Sequence, residues 1–231
     1  MRHERPAVLF DLDDTLYPRQ RFLLSGFAAV ARHLDRCWGV DVRLAFARLA
    51  RAFRTEPGHE LQALVGSFDL PSWVVPQLVE IIREHEPSLR LPRASRGALE
   101  RLRDGWRIGI VTNGPPDIQA RKIEALGLVS LVDEVVYAEA GGPGTGKPEP
   151  AAFVEAARRL GVCPPRAVFV GDDPIADIEG ARRVGMHTIR VMRSGTHMWE
   201  AAGSADAVVE SVAAVPSMAI GLIDGRRTYV V

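Results

Sequence analysis

The chain has 231 residues, with 29 Lys+Arg against 29 Asp+Glu, 47% apolar and 25% charged residues. This is ordinary globular composition with length for one large or two small domains; it excludes disorder and collagen-like folds. Zero net charge offers no broad electrostatic footprint for nucleic acid or an anionic membrane surface. The most apolar stretch, Val212 to Ile223, carries Pro216, Ser217 and Gly221 and falls short of the ~18 residues of a membrane span. The apolar run near the N-terminus is also too short for a secretory signal. The reading is a cytoplasmic protein, monomeric or homodimeric, with no nucleic-acid or membrane partner. Cys37 and Cys163 lack metal or redox spacing and read as reduced, packed thiols.

Ala7 to Phe10 is a short β-favouring run that ends at an acidic cluster. From about Arg21 to Glu86 the apolar residues fall at helix period: Phe22, Phe27, Val30 and Leu34, then Ala45, Leu49 and Phe53, then Leu61, Leu64 and Val65, then Val74, Leu78 and Ile81. Breaks at Trp38-Gly39, Glu56-Pro57-Gly58 and Asp69-Leu70-Pro71 divide this stretch into about four helices. Trp38 and Trp73 within it read as packing residues, with an aromatic substrate the sharper alternative. Beyond Pro92, helices alternate with short apolar strands, the texture of βαβ units around a parallel sheet. Helices near 94–103, 118–126, 151–160, 175–184 and 212–223 surround strands at 107–111, 134–137, 167–170, 188–191 and 207–210; residues 226–231 end as a further strand or a frayed tail. The predicted fold is α/β: a Rossmann-like parallel sheet core, residues 1–16 and 92–231, with a helical domain, 17–91, inserted after its first strand.

Ligands of an open parallel sheet bind beyond the C-terminal strand ends. Those ends carry Asp11, Asp13, Asp14 and Thr15 after the first strand, and Thr112, Asn113 and Gly114 after the second. Gly146-Lys147-Pro148 lies in the loop after the third, and Asp172 and Asp173 follow the fourth, with Asp177 behind them. Acids crowded at one edge repel each other unless a hard cation sits among them, and Mg²⁺ suits a few carboxylates with waters and a phosphate. Asp11 is placed to attack phosphorus, forming an aspartyl-phosphate. Asp13, two residues on, can protonate the leaving alcohol and then activate water. Asp172, with Asp173 or Asp177 behind it, would complete the Mg²⁺ site. Lys147 would neutralise charge on the phosphoryl group and Thr112 would hold one of its oxygens, in a phosphate site shared with Asn113 and Gly114. Lysine is scarce here, since only Lys122 and Lys147 break the use of arginine for positive charge.

Four segments together resemble the haloacid dehalogenase (HAD) superfamily: Phe10-Asp11-Leu12-Asp13-Asp14-Thr15, Val111-Thr112-Asn113-Gly114, Gly146-Lys147-Pro148 and Gly171-Asp172-Asp173 through Asp177. They stand in family order over roughly residues 7 to 191. The helical insertion occupies the position of that family's helical cap (C1 cap, subfamily I), which closes over the site and selects the leaving group. The resemblance implies a Mg²⁺-dependent phosphatase of a small phosphorylated metabolite or nucleotide. It implies Asp11 as nucleophile and ligand, Asp13 as acid/base lending its backbone carbonyl to the metal, and Asp172 as third ligand, a role Asp173 could share.

Other readings remain beside this one. A phosphomutase uses the same Asp11 and Asp13 but passes the phosphoryl group to a sugar. A non-catalytic regulator would bind a metabolite or keep phosphate on Asp11, and a dehalogenase proper would leave the acid cluster unexplained. Carboxylates at a helix N-terminus also complement its dipole, an explanation that suits Asp173 best. Gly141 to Lys147 approaches a Walker A loop, but Pro148 stands where the metal-binding hydroxyl belongs.

Overall fold

The computed structural model describes residues 5–142, 144–192 and 205–225; the C-terminal residues 226–231 lie outside them. Two compact units emerge, Met1–Pro18 with Arg90–Val231, and Arg19–Leu89.

The first unit is built on six parallel strands: β1 (Ala7–Phe10), β2 (Arg107–Thr112), β3 (Glu134–Tyr137), β4 (Ala167–Gly171), β5 (His187–Val191) and β6 (Ala207–Val209). Their spatial order is β3-β2-β1-β4-β5-β6. The first strand is thus central, and the order reverses beside it, where open α/β sheets form their crevice. Phe10 is level with Ile110 on one side and Val170 on the other, so Asp11 emerges between the ends of β2 and β4.

Both faces of β1 are buried, which is why it is an unbroken apolar run. Ala7 and Leu9 join Val111, Phe169, Phe153 and Leu160 in one core. That face is covered by α7 (Pro150–Leu160), while α5 (Arg93–Leu102) and a last helix pack against β2, β4 and β5. Labelled in chain order, the intervening helices are α6 (Pro116–Ala125) and α8 (Gly180–Arg183), and the last is α9 (Val215–Ile223).

The helix expected over 175–184 has a different form. A π-helical turn, Pro174–Glu179, precedes the short α8. Its wider winding shows in the bond from Ile178 N–H to the Asp173 carbonyl, 3.2 Å. Likewise, the final helical stretch opens as a 3-10 turn over Val212–Ala214 before α9 begins.

The second unit holds four helices, α1 (Gln20–Trp38), α2 (Val42–Thr55), α3 (Glu60–Ser67) and α4 (Val74–Glu84). Gly39, in the left-handed region at φ 66°, ends α1, and its N–H returns to the Asp35 carbonyl. Asp41 then caps α2, accepting from the N–H groups of Arg43 and Leu44. Phe27, Val30, Leu34, Leu49, Leu64 and Leu78 form the core of this unit, each contributing about 1.5–3 kcal/mol by leaving water.

Two readings are corrected here. Trp38 and Trp73 are not core residues: they are 37% and 67% exposed, with ring centroids 5.9 Å apart. Their rings shelter one another because the apolar stripes of α1 and α4 point elsewhere. Cys37 and Cys163 are free but exposed, not packed, since each sits at a helix end or a turn rather than on a core-facing stripe.

Candidate active site

Three strand ends and two loops of the first unit assemble the site. The chain leaves β1 with Asp11 N–H bonded to the Val170 carbonyl at 2.9 Å, which seats Asp11 beside Gly171 at the end of β4. The following turn closes on itself. Asp14 has a positive φ of 69° and its N–H reaches the Tyr17 carbonyl, so Asp13, Thr15 and Tyr17 are carried on a tight, defined loop.

Lys147 lies at the centre of the first cluster. Its Nζ donates to Asp11 Oδ1 at 2.7 Å and to Asp177 Oδ1 at 2.6 Å, and its side chain is only 2% exposed. Burial works against this ammonium, but the two carboxylates outweigh it and its pKa is raised. The Asn113 side chain holds the Lys147 backbone from both sides, accepting from its N–H at 2.8 Å and donating to its carbonyl at 3.0 Å. The Lys147–Pro148 peptide is cis. Asn113 and Gly114 form the turn from β2 into α6, with Gly114 at φ 110°.

Asp177 also organises the loop after β4. Its Oδ2 accepts from the N–H groups of Asp172 and Asp173, each at 3.1 Å. This close folding depends on Gly171, where a Cβ atom would lie 2.3 Å from Asp177 Oδ2. Gly171→Ala should therefore cost about 3 kcal/mol or more, because Asp177 is held by Lys147 and two amides and cannot withdraw. Urea unfolding checks this; an unchanged midpoint would mean that the loop yields.

Asp173 turns away from the cluster and accepts from Ile175 and Ala176 N–H at 2.8 and 2.7 Å, capping the π-turn. Asp172 stays in it, receiving the Thr15 hydroxyl at 3.3 Å. Asp11, Asp172 and Asp177 can each offer one oxygen within 4.8 Å of the others. Asp11 Oδ2 is buried and has no hydrogen-bond partner among the described residues. Burial, only partly offset by Lys147 and reinforced by Asp177, pushes the Asp11 carboxyl up to about 7. Burial and the Asp177 charge push Asp172 to about 6.

Asp13 stands in a second cluster. Tyr17 donates to its Oδ1 at 2.6 Å, Gln119 to its Oδ2 at 3.0 Å, and Lys122 to both oxygens at 3.0 and 2.7 Å. Burial raises the Asp13 carboxyl, but the Lys122 charge and these bonds prevail, and its pKa is lowered. Gln119 Nε2 also donates to Thr112 Oγ1, linking Asp13, in the turn after β1, to the last residue of β2. Neither Gln119 nor Lys122 is singled out by motif spacing. The signal that favours Lys147, scarcity of lysine in an arginine-rich chain, applies equally to Lys122.

A parallel sheet that gathers buried acids and a lysine beyond its strand ends defines an enzyme of the Rossmann-like α/β class. The sequence model of the haloacid dehalogenase-like hydrolases matches residues 6–185, and the chain belongs to that family. It is 35% identical over 198 residues to a glyceraldehyde 3-phosphate phosphatase of Methanopyrus kandleri, covering 81% of this chain and 84% of the relative. It is 31% identical over 225 residues to a phosphoserine phosphatase of Thermus thermophilus, covering 80% and 88%. A HAD phosphatase from Thermococcus onnurineus superposes with TM-score 0.61 at 28% identity, over 96% of this chain and all of that one (100%). The motif resemblance and the α/β reading are thus borne out. Among the described residues, no helix is long and apolar enough to cross a membrane.

Proposed function

We propose that this hydrolase is a Mg²⁺-dependent phosphomonoesterase of a small phosphorylated metabolite, working through an aspartyl-phosphate. The observation that carries the proposal is Asp11 Oδ2, a buried carboxylate oxygen with no hydrogen-bond partner among the described residues, just past the end of the central strand beside the Lys147 ammonium. A carboxylate kept from water and left one oxygen unengaged is prepared to attack phosphorus. Asp13 then protonates the alcohol oxygen as its bond to phosphorus breaks, and later takes a proton from the water that cleaves the aspartyl-phosphate. Thr112, Asn113 and Gly114 provide the phosphate-holding turn, and Lys147 balances charge on the transferring group.

The donor set fits Mg²⁺: hard carboxylate oxygens only, one of them without a hydrogen-bond partner among the described residues. Asp11 and Asp172 would hold the ion, with the Asp13 backbone carbonyl as the family resemblance implies. Asp177 is fully engaged with Lys147 and two amides and supports the loop, while Asp173 is committed to its cap. When bound, the ion would supply positive charge that lowers repulsion between the Asp11 carboxylate and a phosphate dianion. The helical unit Arg19–Leu89 is assigned the part of the substrate-selecting cap. The named activities of the relatives, toward glyceraldehyde 3-phosphate and phosphoserine, favour a short-chain phosphate ester.

Phosphate release from glyceraldehyde 3-phosphate, phosphoserine, sugar phosphates, nucleotides and a chromogenic ester tests this reading. Release is expected with Mg²⁺ and is lost with chelator. No release from any ester by folded, Mg²⁺-supplied protein would overturn it and favour the mutase or the phosphate-accepting regulator.

A further inference from the structure

We infer that Lys122, acting with Gln119, is a positioning residue that holds the Asp13 carboxylate in the orientation its proton transfers require; this rests on the phosphatase reading above. Lys122 is buried, with its side chain 6% exposed, and its Nζ lies within hydrogen-bond distance of both Asp13 oxygens. Gln119 precedes it by three residues on α6, so both side chains project from one face of that helix toward the end of β1.

The arrangement is more than a means of attaching α6. A buried ion pair is commonly no more stabilising than apolar residues of the same volume, and α6 is already anchored by buried Ile123 and Leu126. What the polar contacts add is orientation. Lys122 engages both oxygens, which fixes the plane of the carboxylate, and Tyr17 and Gln119 fix which oxygen lies on which side. Gln119 then ties that plane to the Thr112 hydroxyl, which the proposed mechanism sets against a phosphoryl oxygen. The proton donor and the phosphate holder are thereby indexed to each other through a single amide.

Two steps depend on this indexing. In the first, once Asp13 has taken up a proton from solvent against the pull of the Lys122 charge, an Asp11 oxygen bonds to phosphorus, the bond from phosphorus to the alcohol oxygen breaks, and that oxygen takes the proton from Asp13. In the second, a water oxygen bonds to phosphorus, its proton goes to Asp13, and the Asp11 oxygen leaves as carboxylate. Asp13 must face the same point on both occasions, and misplacement by a fraction of an ångström costs heavily in rate.

Lys122→Met and Gln119→Met, made in the full chain with Mg²⁺ supplied, test the assignment in single-turnover and steady-state assays. An alkyl ester, glycerol phosphate, leaves as an alkoxide that needs the proton; p-nitrophenyl phosphate leaves as a phenolate that does not. Lys122→Met is expected to slow phosphoryl transfer from the alkyl ester about 100-fold, the scale of general acid catalysis. The aryl ester should lose less than about 10-fold in the same step, with KM for both within about 3-fold. Gln119→Met should shift the two esters in the same unequal way while leaving the Lys122 ion pair in place. If only Lys122→Met fails to fold, Gln119→Met decides the matter.

Equal loss on both esters, a change confined to KM, unaltered rates, or unfolding of both variants would overturn the inference and make these contacts structural. Absence of phosphate release by the wild-type protein would instead defeat the phosphatase reading, whereas wild-type turnover with an unaffected Lys122→Met defeats this inference alone.

Discussion

Asp11→Asn should abolish phosphate release, by at least about 10⁴-fold in kcat, while making the metal-free protein more stable at pH 8. The loss of turnover follows from replacing the attacking carboxylate with an amide of nearly the same shape. The gain in stability follows from electrostatics. Asp11 is drawn up to about 7 from an ordinary value of 3.8, chiefly by burial. Between those two values the folded protein retains a proton that the unfolded chain has released. Stability of the metal-free protein therefore falls as pH rises through that window, and the full penalty applies above it.

Asparagine carries no such penalty, and Lys147 keeps Asp177 as its partner. A gain of roughly 1–3 kcal/mol is expected, or several degrees in Tm at about 2–4 °C per kcal/mol for a chain of this size. At pH 3 the two proteins should unfold together, because Asp11 is then largely protonated in both states of the wild type. Mg²⁺ should raise the wild-type Tm more at pH 8 than at pH 5 and raise that of the variant little. Residual turnover above about one per cent would remove Asp11 from the nucleophile's role. A lower Tm at pH 8 would show instead that its attraction to Lys147 outweighs the cost of burial.

How much of this was legible without coordinates varies with the kind of residue. Asp11, Thr112 and Asp172 could be read because each stands at or just past the end of a strand whose apolar run is short and sharply bounded, and a parallel sheet brings all such ends to one edge. Asp173 could be read as a cap because its partners are two and three residues away in sequence. The pairing of Lys147 with Asp177, 30 residues apart, and of Lys122 with Asp13, 109 apart, depends on how loops and α6 settle over the sheet, and no local pattern encodes that. Lys122 and Gln119 are also disguised: on a helix with exposed neighbours, a lysine and a glutamine look like ordinary solvated residues. The π-turn was illegible for a similar reason. Its cause is Asp177 reaching back to the amides of Asp172 and Asp173, a contact that a helical pattern of apolar residues does not reveal.

Removing the ammonium of Lys147 should have the greatest effect on stability. Lys147→Met keeps most of the side-chain volume but leaves Asp11, Asp172 and Asp177, each able to place an oxygen within 4.8 Å of the others, without the cation that two of them touch. Breaking a buried pair in this way costs about 3–5 kcal/mol, which corresponds to a fall in Tm of roughly 10 °C. The loss should be greater at pH 8 than at pH 5. Without Lys147 the carboxyl pKa values rise further, the folded state holds protons that the unfolded chain gives up, and stability declines as pH rises. Lys147→Arg should not restore turnover, because a planar guanidinium cannot occupy a space bounded by two carboxylates at 2.6 and 2.7 Å as a compact ammonium does. Excess Mg²⁺ should recover part of the stability of Lys147→Met but not its activity: an added cation relieves repulsion among the acids, whereas the charge that Lys147 presents to the transferring phosphoryl is fixed by Asn113's hold on its backbone. Thermal unfolding at the two pH values, paired with phosphate release, separates these effects. A Tm at pH 8 within about 2 °C of wild type, a loss below about 1 kcal/mol, would mean that the acids are already neutralised by protons and that Lys147 is not what holds them together.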